Sequence, residues 1–241
     1  MFQIALNLAT VRAKIAEACR VVGRDPATVR LIAVSKTHPI SAIEEAIAAG
    51  QRDFGENRVE EAAAKIAAYP DLIWHMIGHV QSRKVRDVAP RFAIVHSVDS
   101  LKLARRFSQA VLGGARPADS PLPILLEINI SGEASKGGMA ARNWREDSAV
   151  RAALWEEVGA VVQLPGLAPV GLMTMAPIVS DPEEARPVFS GLRELRDALA
   201  ESFPHADWGQ LSMGMTDDYL IAIQEGSTMV RIGRAIFGER R

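Results

Sequence analysis

The sequence predicts an α/β fold, a closed (β/α)8 barrel of the TIM type preceded by an extra N-terminal helix. Three observations carry that prediction. Short apolar runs rich in β-branched residues alternate with longer helical patterns along the whole chain. The chain has 241 residues, close to the ~250 typical of eight strand–helix units closed into a barrel. The first apolar run is followed by Lys36-Thr37-His38-Pro39, where an open doubly wound sheet would normally carry a glycine fingerprint. No linker interrupts the pattern, so a single barrel domain is expected over residues 1–241.

The elements can be justified in order. Ile4, Leu8, Val11, Ile15, Ala18 and Val22 recur at helical spacing until Gly23, and this extra helix is expected to close the barrel bottom. The first strand, 31–35, delivers Lys36 at its C-terminal end. Ser41 with Glu44 has the spacing of a capping box, opening a helix that stops at Gly50. Further strands are expected at 53–55, 73–77, 94–98, 124–130, 170–175, 210–213 and 229–232. Between them, 101–112 and 187–199 carry the clearest helical stripes. Residues 113–123, with Pro117, Pro121 and Pro123, read as an exposed loop at the bottom. Residues 135–147, with Gly137 and Gly138, read as a mobile flap on the top face.

Composition excludes several classes of function. A net charge of -1 leaves no basic field for nucleic acid or anionic lipid. The single cysteine, Cys19, sits on an apolar helical face, which suits a reducing compartment and core packing. Arg12 and Lys14 interrupt any signal-like run, and no apolar stretch approaches a bilayer span, so a cytoplasmic protein is expected. The five histidines show neither HExxH nor paired-cysteine spacing, so no metal is expected.

Barrel chemistry sits at the C-terminal ends of the strands. Those ends carry Lys36; Glu56 and Asn57; His79; Asn129, Ser131 and Glu133; Ser212, Gly214 and Thr216; and Arg231, Gly233 and Arg234. Loops after the last two strands commonly build a phosphate site. Here two hydroxyls, two glycines and a helix start near Asp217 suit an anion, the alternative being two ligand-free turns. Lys36 is either a snorkelling surface residue or a dehydrated amine lowered toward the neutral, nucleophilic form. Lys84 and Lys136 are competing amines in charged loops. Arg231, between Val230 and Ile232, points into the barrel by alternation. It meets there either a carboxylate such as Glu127 or Glu56, or a cofactor.

Seven segments carry a family resemblance: LIAVSKTHP (31–39), QRDFGENRVEE (51–61), WHMIGHVQSRK (74–84), INISGEASKGG (128–138), GLMTM (171–175), LSMGMTDDYLIAI (211–223) and GSTMVRIGRAIFG (226–238). Through them the chain resembles the pyridoxal phosphate homeostasis proteins, single-domain relatives of the N-terminal barrel of bacterial alanine racemase. The resemblance implies that Lys36 holds pyridoxal 5′-phosphate as a Schiff base. It implies that Ser212, Gly214, Gly233 and the amide of Arg234 cradle the phosphate, that Arg231 faces the pyridine nitrogen, and that Asn57 lines the pocket. Arg234 departs from the family, which usually places a small hydroxylic residue there; its guanidinium either meets the phosphate or turns outward. Extra residues at 114–121 and 139–150 have no assigned role.

An arginine at the ring nitrogen favours the unprotonated ring and weakens carbanion stabilisation. Racemase relatives add a catalytic tyrosine from a second domain. That domain is not expected here; Tyr69, before Pro70, reads as lying on the bottom side, and Tyr219, in the helix after strand seven, as a packing residue. The resemblance thus implies a carrier that delivers pyridoxal phosphate to apo-enzymes through transient contacts. Oligomeric state is left open, with a monomer preferred. The rivals are an amino-acid racemase and a lysine-dependent aldolase holding a sugar phosphate.

Overall fold

Eight parallel strands close on themselves in the computed structural model, which describes residues 3–239. They are β1 (Arg30–Val34), β2 (Asp53–Glu56), β3 (Ile73–Met76), β4 (Ile94–Val98), β5 (Leu122–Asn129), β6 (Leu167–Met173), β7 (Gln210–Ser212) and β8 (Met229–Ile232). Neighbours pair in chain order, and β8 returns to β1 with Val230 opposite Leu31 and Arg231 opposite Ile32. Because successive side chains point to opposite faces, each strand feeds two cores. Ile32, Ile94, Leu125, Met173 and Met229 meet inside the barrel. Leu31, Ala33, Phe54, Trp74, Val95 and Val230 face outward into the mantle beneath the helices.

The helices are α1 (Gln3–Val21), α2 (Ile40–Ala48), α3 (Val59–Ala68), α4 (Val85–Val88), α5 (Leu101–Ala110), α6 (Ser148–Val162), α7 (Arg186–Ser202), α8 (Tyr219–Gln224) and α9 (Arg234–Phe237). The expected position of α1 is corrected: it lies outside the barrel against α2, α8 and α9, not across its bottom. The reason is coverage. Helices α8 and α9 have six and four residues, too short to cover the wall there. Leu8, Val11, Ile15 and Cys19 of α1 supply the missing apolar surface. Cys19 is fully buried, and burial pushes its thiol up. Among the described residues no helix is long and apolar enough to cross a membrane.

Three local expectations are also corrected. Pro39 occupies the cap position of α2 and no side chain caps it; its fixed φ presets the turn. Glu44 instead accepts a hydrogen bond from the Tyr69 hydroxyl at 2.7 Å. The bottom loop is shorter than its composition suggests, because α5 continues into a five-residue π segment, Val111–Ala115. Arg116 then ties the loop down by donating to the carbonyls of Ala89 and Phe92. The top flap is pinned: Met139–Ala140 pairs with Ile128 and Asn129 of β5, and Met139, Ala141 and Trp144 are buried. Apolar side chains at those positions hold the segment down against its two glycines.

Candidate functional site

At the C-terminal ends of β1, β2, β7 and β8 the barrel opens into a cavity of about 350 Å³. Of the residues singled out from sequence, Lys36, Asn57, Arg231, Gly233 and Arg234 line it, joined by Thr216. A larger groove of about 560 Å³ runs alongside and shares Asn57, but Lys36 and the buried guanidinium of Arg231 meet only in the smaller space.

Lys36 stands two residues beyond β1, and the backbone that aims it is strained. Thr37 has φ +67°, a left-handed conformation costly for a β-branched residue and of order 1–3 kcal/mol. Its amide donates to the Glu61 carboxylate. Glu61 sits 3.1 Å from Lys65, whose ammonium also donates to Glu56 Oε1 at 2.8 Å and to the Ser35 carbonyl at 2.9 Å. The Ser35 hydroxyl donates to the same Glu56 oxygen at 2.7 Å. Residues 35 and 37 are therefore both clamped to one network under α3, which over-determines the strained turn. Burial raises the Glu56 carboxyl, with Lys65 and Ser35 opposing.

Asn57 continues from β2, and its Oδ1 is buried without a hydrogen-bond partner. The chain after β3 presses against it at Gly78, where a Cβ would lie 2.4 Å from the Asn57 carbonyl oxygen. Only glycine permits that approach.

Arg231 points inward, as alternation requires, and is 5% exposed. Of the two readings left open for Arg231, the ion pair with Glu127 or Glu56 is not found. Among the described residues neither carboxylate bridges to it: Glu56 lies outside the barrel wall with Lys65, and Glu127 acts only through space. Arg231 instead donates to the Ser212 carbonyl at 2.8 Å, the Ser212 hydroxyl at 2.6 Å and the Thr174 carbonyl at 3.0 Å. Burial pulls its pKa down to about 10, against Asp218 and Glu127, so it stays cationic near neutrality.

Two residues expected at the cavity are placed behind it. Ser212 is fully buried, its hydroxyl held between Arg231 and His96 Nδ1 at 2.8 Å. Gly214 has φ +93°, and a Cβ there would lie 2.6 Å from Ala222 Cβ, so this glycine serves packing against α8. The hydroxyl that reaches the cavity is Thr216, in a turn closed by the Met215 amide donating to Asp218 Oδ1 at 2.6 Å. Arg234 is half exposed at the rim, paired with Asp217 and 3.8 Å from Glu239. Of the competing amines, Lys84 pairs with Glu60 at 2.5 Å, and Lys136 pairs with Glu133. The chain has two tyrosines. Tyr69 bonds Glu44 and Tyr219 packs in α8; neither lines the cavity. Among the described residues no cluster suits a metal ion.

Sequence reasoning missed the histidines inside the barrel. His75 and His96 are fully buried, with His75 Nδ1 2.9 Å from His96 Nε2 and His75 Nε2 2.9 Å from Asp53 Oδ1. Burial lowers both pKa values, that of His96 well below its ordinary value. The unfolded chain takes up these protons near pH 6.5 while the folded chain refuses them. Their contribution is thus complete above ~6.5 and lost as pH falls toward the depressed values. Each histidine should cost about 1.4 kcal/mol per pH unit in that window. Urea unfolding at pH 7 and pH 5.5 should show this loss, and a pH-independent midpoint would contradict it.

A family model described as the alanine racemase N-terminal domain matches residues 6–241. The pyridoxal phosphate homeostasis protein of Pseudomonas aeruginosa is 47% identical over 243 residues, spanning 100% of this chain and 97% of its own length. The structure of PipY from Synechococcus elongatus PCC7942 with PLP bound matches at 36% identity and a TM-score of 0.81, covering 98% of this chain and 100% of that one. Alanine racemase of Clostridium difficile 630 matches with a TM-score of 0.76 at 13% identity, over 57% of its length, a likeness of fold alone.

Proposed function

This chain belongs to the alanine racemase N-terminal domain family, alongside the pyridoxal phosphate homeostasis proteins, and we propose that it binds pyridoxal 5′-phosphate and passes it to apo-enzymes. The observation that carries this reading is the convergence of Lys36 and the buried cation Arg231 on one cavity. The residues present suit the group. A primary amine, a buried acceptor at Asn57 Oδ1 without a partner, a cationic floor and a hydroxyl at Thr216 all belong to the cavity wall. When bound, pyridoxal phosphate supplies an aldehyde that condenses with a primary amine, and Lys36 is the amine this chain presents.

Thr216, with the backbone at Gly233 and Arg234, would hold the phosphate. The Arg234 guanidinium stays tethered to Asp217 and contributes its amide and field. Ser212 and Gly214 act behind the cavity, Ser212 by holding Arg231 and Gly214 by seating α8. Arg231 has donors only and so favours an unprotonated ring nitrogen. That choice suits storage of the aldehyde more than carbanion chemistry. Neither tyrosine reaches the cavity to serve as a second base. We place this work in the cytosol, where apo-enzymes are made and a lone buried thiol stays reduced.

The test has two arms. Loaded protein should restore an apo-enzyme's activity in the presence of an excess of a small amine that traps free pyridoxal phosphate. Alanine racemisation should not exceed the free-cofactor background. Racemisation above background, or activation abolished by the trap, would overturn the carrier reading.

A further inference from the structure

Five polar side chains run through the barrel interior as one chain of hydrogen bonds. Arg231 reaches the Ser212 hydroxyl at 2.6 Å, that hydroxyl lies 2.8 Å from His96 Nδ1, His96 Nε2 lies 2.9 Å from His75 Nδ1, and His75 Nε2 lies 2.9 Å from Asp53 Oδ1. The ends open on opposite faces. Arg231 lines the upper cavity. Asp53 starts β2 and lines a cavity at the N-terminal ends of β1 and β2, 3.6 Å from Arg30.

The chemistry of the two ends fixes every proton between them. A guanidinium only donates and a carboxylate only accepts. With neutral histidines, His75 must carry its proton on Nε2 to meet Asp53, so its Nδ1 accepts. His96 must then donate from Nε2 and accept at Nδ1, so the Ser212 hydroxyl donates to His96. Its oxygen is thereby left facing Arg231 as an acceptor. With both rings neutral, any other assignment sets two donors or two acceptors face to face at a buried contact, which costs the full desolvation of both groups.

We propose that this one-way chain is a positioning relay: His75, His96 and Asp53 lock the Ser212 hydroxyl as an acceptor and so fix the Arg231 guanidinium at the cavity floor. The inference rests on the reading of that cavity as the pyridoxal phosphate site, with Arg231 toward the ring nitrogen. None of the three remote residues lines the cavity. They act through Arg231 by holding its height and orientation. The aligned dipoles and the terminal Asp53 charge also favour its cationic form. The Thr174 and Ser212 carbonyls take two further guanidinium protons, and the relay controls the third contact, that to the Ser212 hydroxyl.

Two measurements test this, one without ligand. In ligand-free protein, 15N spectra of labelled histidine should show His75 and His96 neutral at pH 7, each protonated on Nε2. A proton on Nδ1 of either ring, or a charged ring, overturns the relay. In the second measurement pyridoxal phosphate is titrated into His96→Phe and Asp53→Leu, the latter removing the terminal acceptor at similar volume and at a residue remote from the cavity. Each variant, confirmed folded by its melting transition, should bind about tenfold more weakly, the loss expected for one hydrogen bond to a charged donor, with a displaced visible band. A purely structural role would lower the melting temperature and leave affinity and band unchanged; binding within twofold of wild type in both folded variants overturns the proposal. If wild-type protein shows no titration at all, the cofactor assignment fails, and with it the positioning role. The ligand-free spectra separate that outcome from failure of the relay.

Discussion

Lys36→Ala is expected to abolish the borohydride-stable pyridoxal phosphate adduct and the visible band while leaving the barrel folded. The expectation of an intact fold comes from where the side chain sits. Lys36 is partly exposed at the cavity wall, and the turn that carries it is held by the backbone of Ser35 and Thr37 through Lys65 and Glu61. The expectation of complete loss comes from the competing amines. Lys65 is surrounded by two carboxylates and a carbonyl, and Lys84 is held by Glu60 on the neighbouring groove. Lys136 is the nearest rival, since it donates at 3.1 Å to the carbonyl of Met175, a cavity residue, besides pairing with Glu133. Peptide mapping after borohydride reduction distinguishes them. An adduct surviving on Lys136 would move the amine role to β5 and the pinned flap, and would undo the assignment of Lys36.

The barrel was legible because parallel strands covered on both faces read as near-continuous apolar runs. Strand limits at β5 and β6 were not, since Pro123 and Pro169 look like breakers. Pro169 in fact falls beside a register shift, where Ile124 faces Pro169 but Leu125 faces Gly171, and a missing amide is tolerated at such an irregularity. Arg231 could be found because it interrupts an apolar strand. The same rule applied to IWHM and IVHSV would have found His75 and His96. Their link to Ser212 could not be read, because it crosses the barrel from β4 to β7 and exists only once the sheet has closed. Thr216 and Ser212 were indistinguishable in LSMGMT until the strand, ending at Ser212, sent that hydroxyl inward and the turn beyond it carried Thr216 to the cavity. The position of α1 depended on how short α8 and α9 are, which no stripe on α1 itself records.

Lys65→Met should destabilise the protein by about 3–5 kcal/mol, the cost of leaving one partner of a buried ion pair unmatched. In VEEAAAKIAA the lysine reads as a surface residue pairing i,i+4 with Glu61. The fold instead lays that face of α3 over the ends of β1 and β2, where Lys65 is 5% and Glu56 0% exposed. Glu56 has no reserve, since its Oε2 is already buried without a partner and Oε1 depends on Lys65 and Ser35. For a chain of this size each kcal/mol is worth ~2–4 °C, so a fall of roughly 10 °C in melting temperature is expected. Adding Glu56→Gln should recover part of it by removing the stranded charge. The pH dependence supplies the sign. A carboxyl raised above its unfolded value favours folding below that value, and loses the contribution as pH rises through its folded pKa. The deficit of Lys65→Met relative to wild type should therefore shrink on acidification toward about pH 4.3, where the unfolded glutamate also takes its proton. A deficit that stays constant with pH, or one that Glu56→Gln deepens, would mean that Glu56 is not the charge Lys65 neutralises.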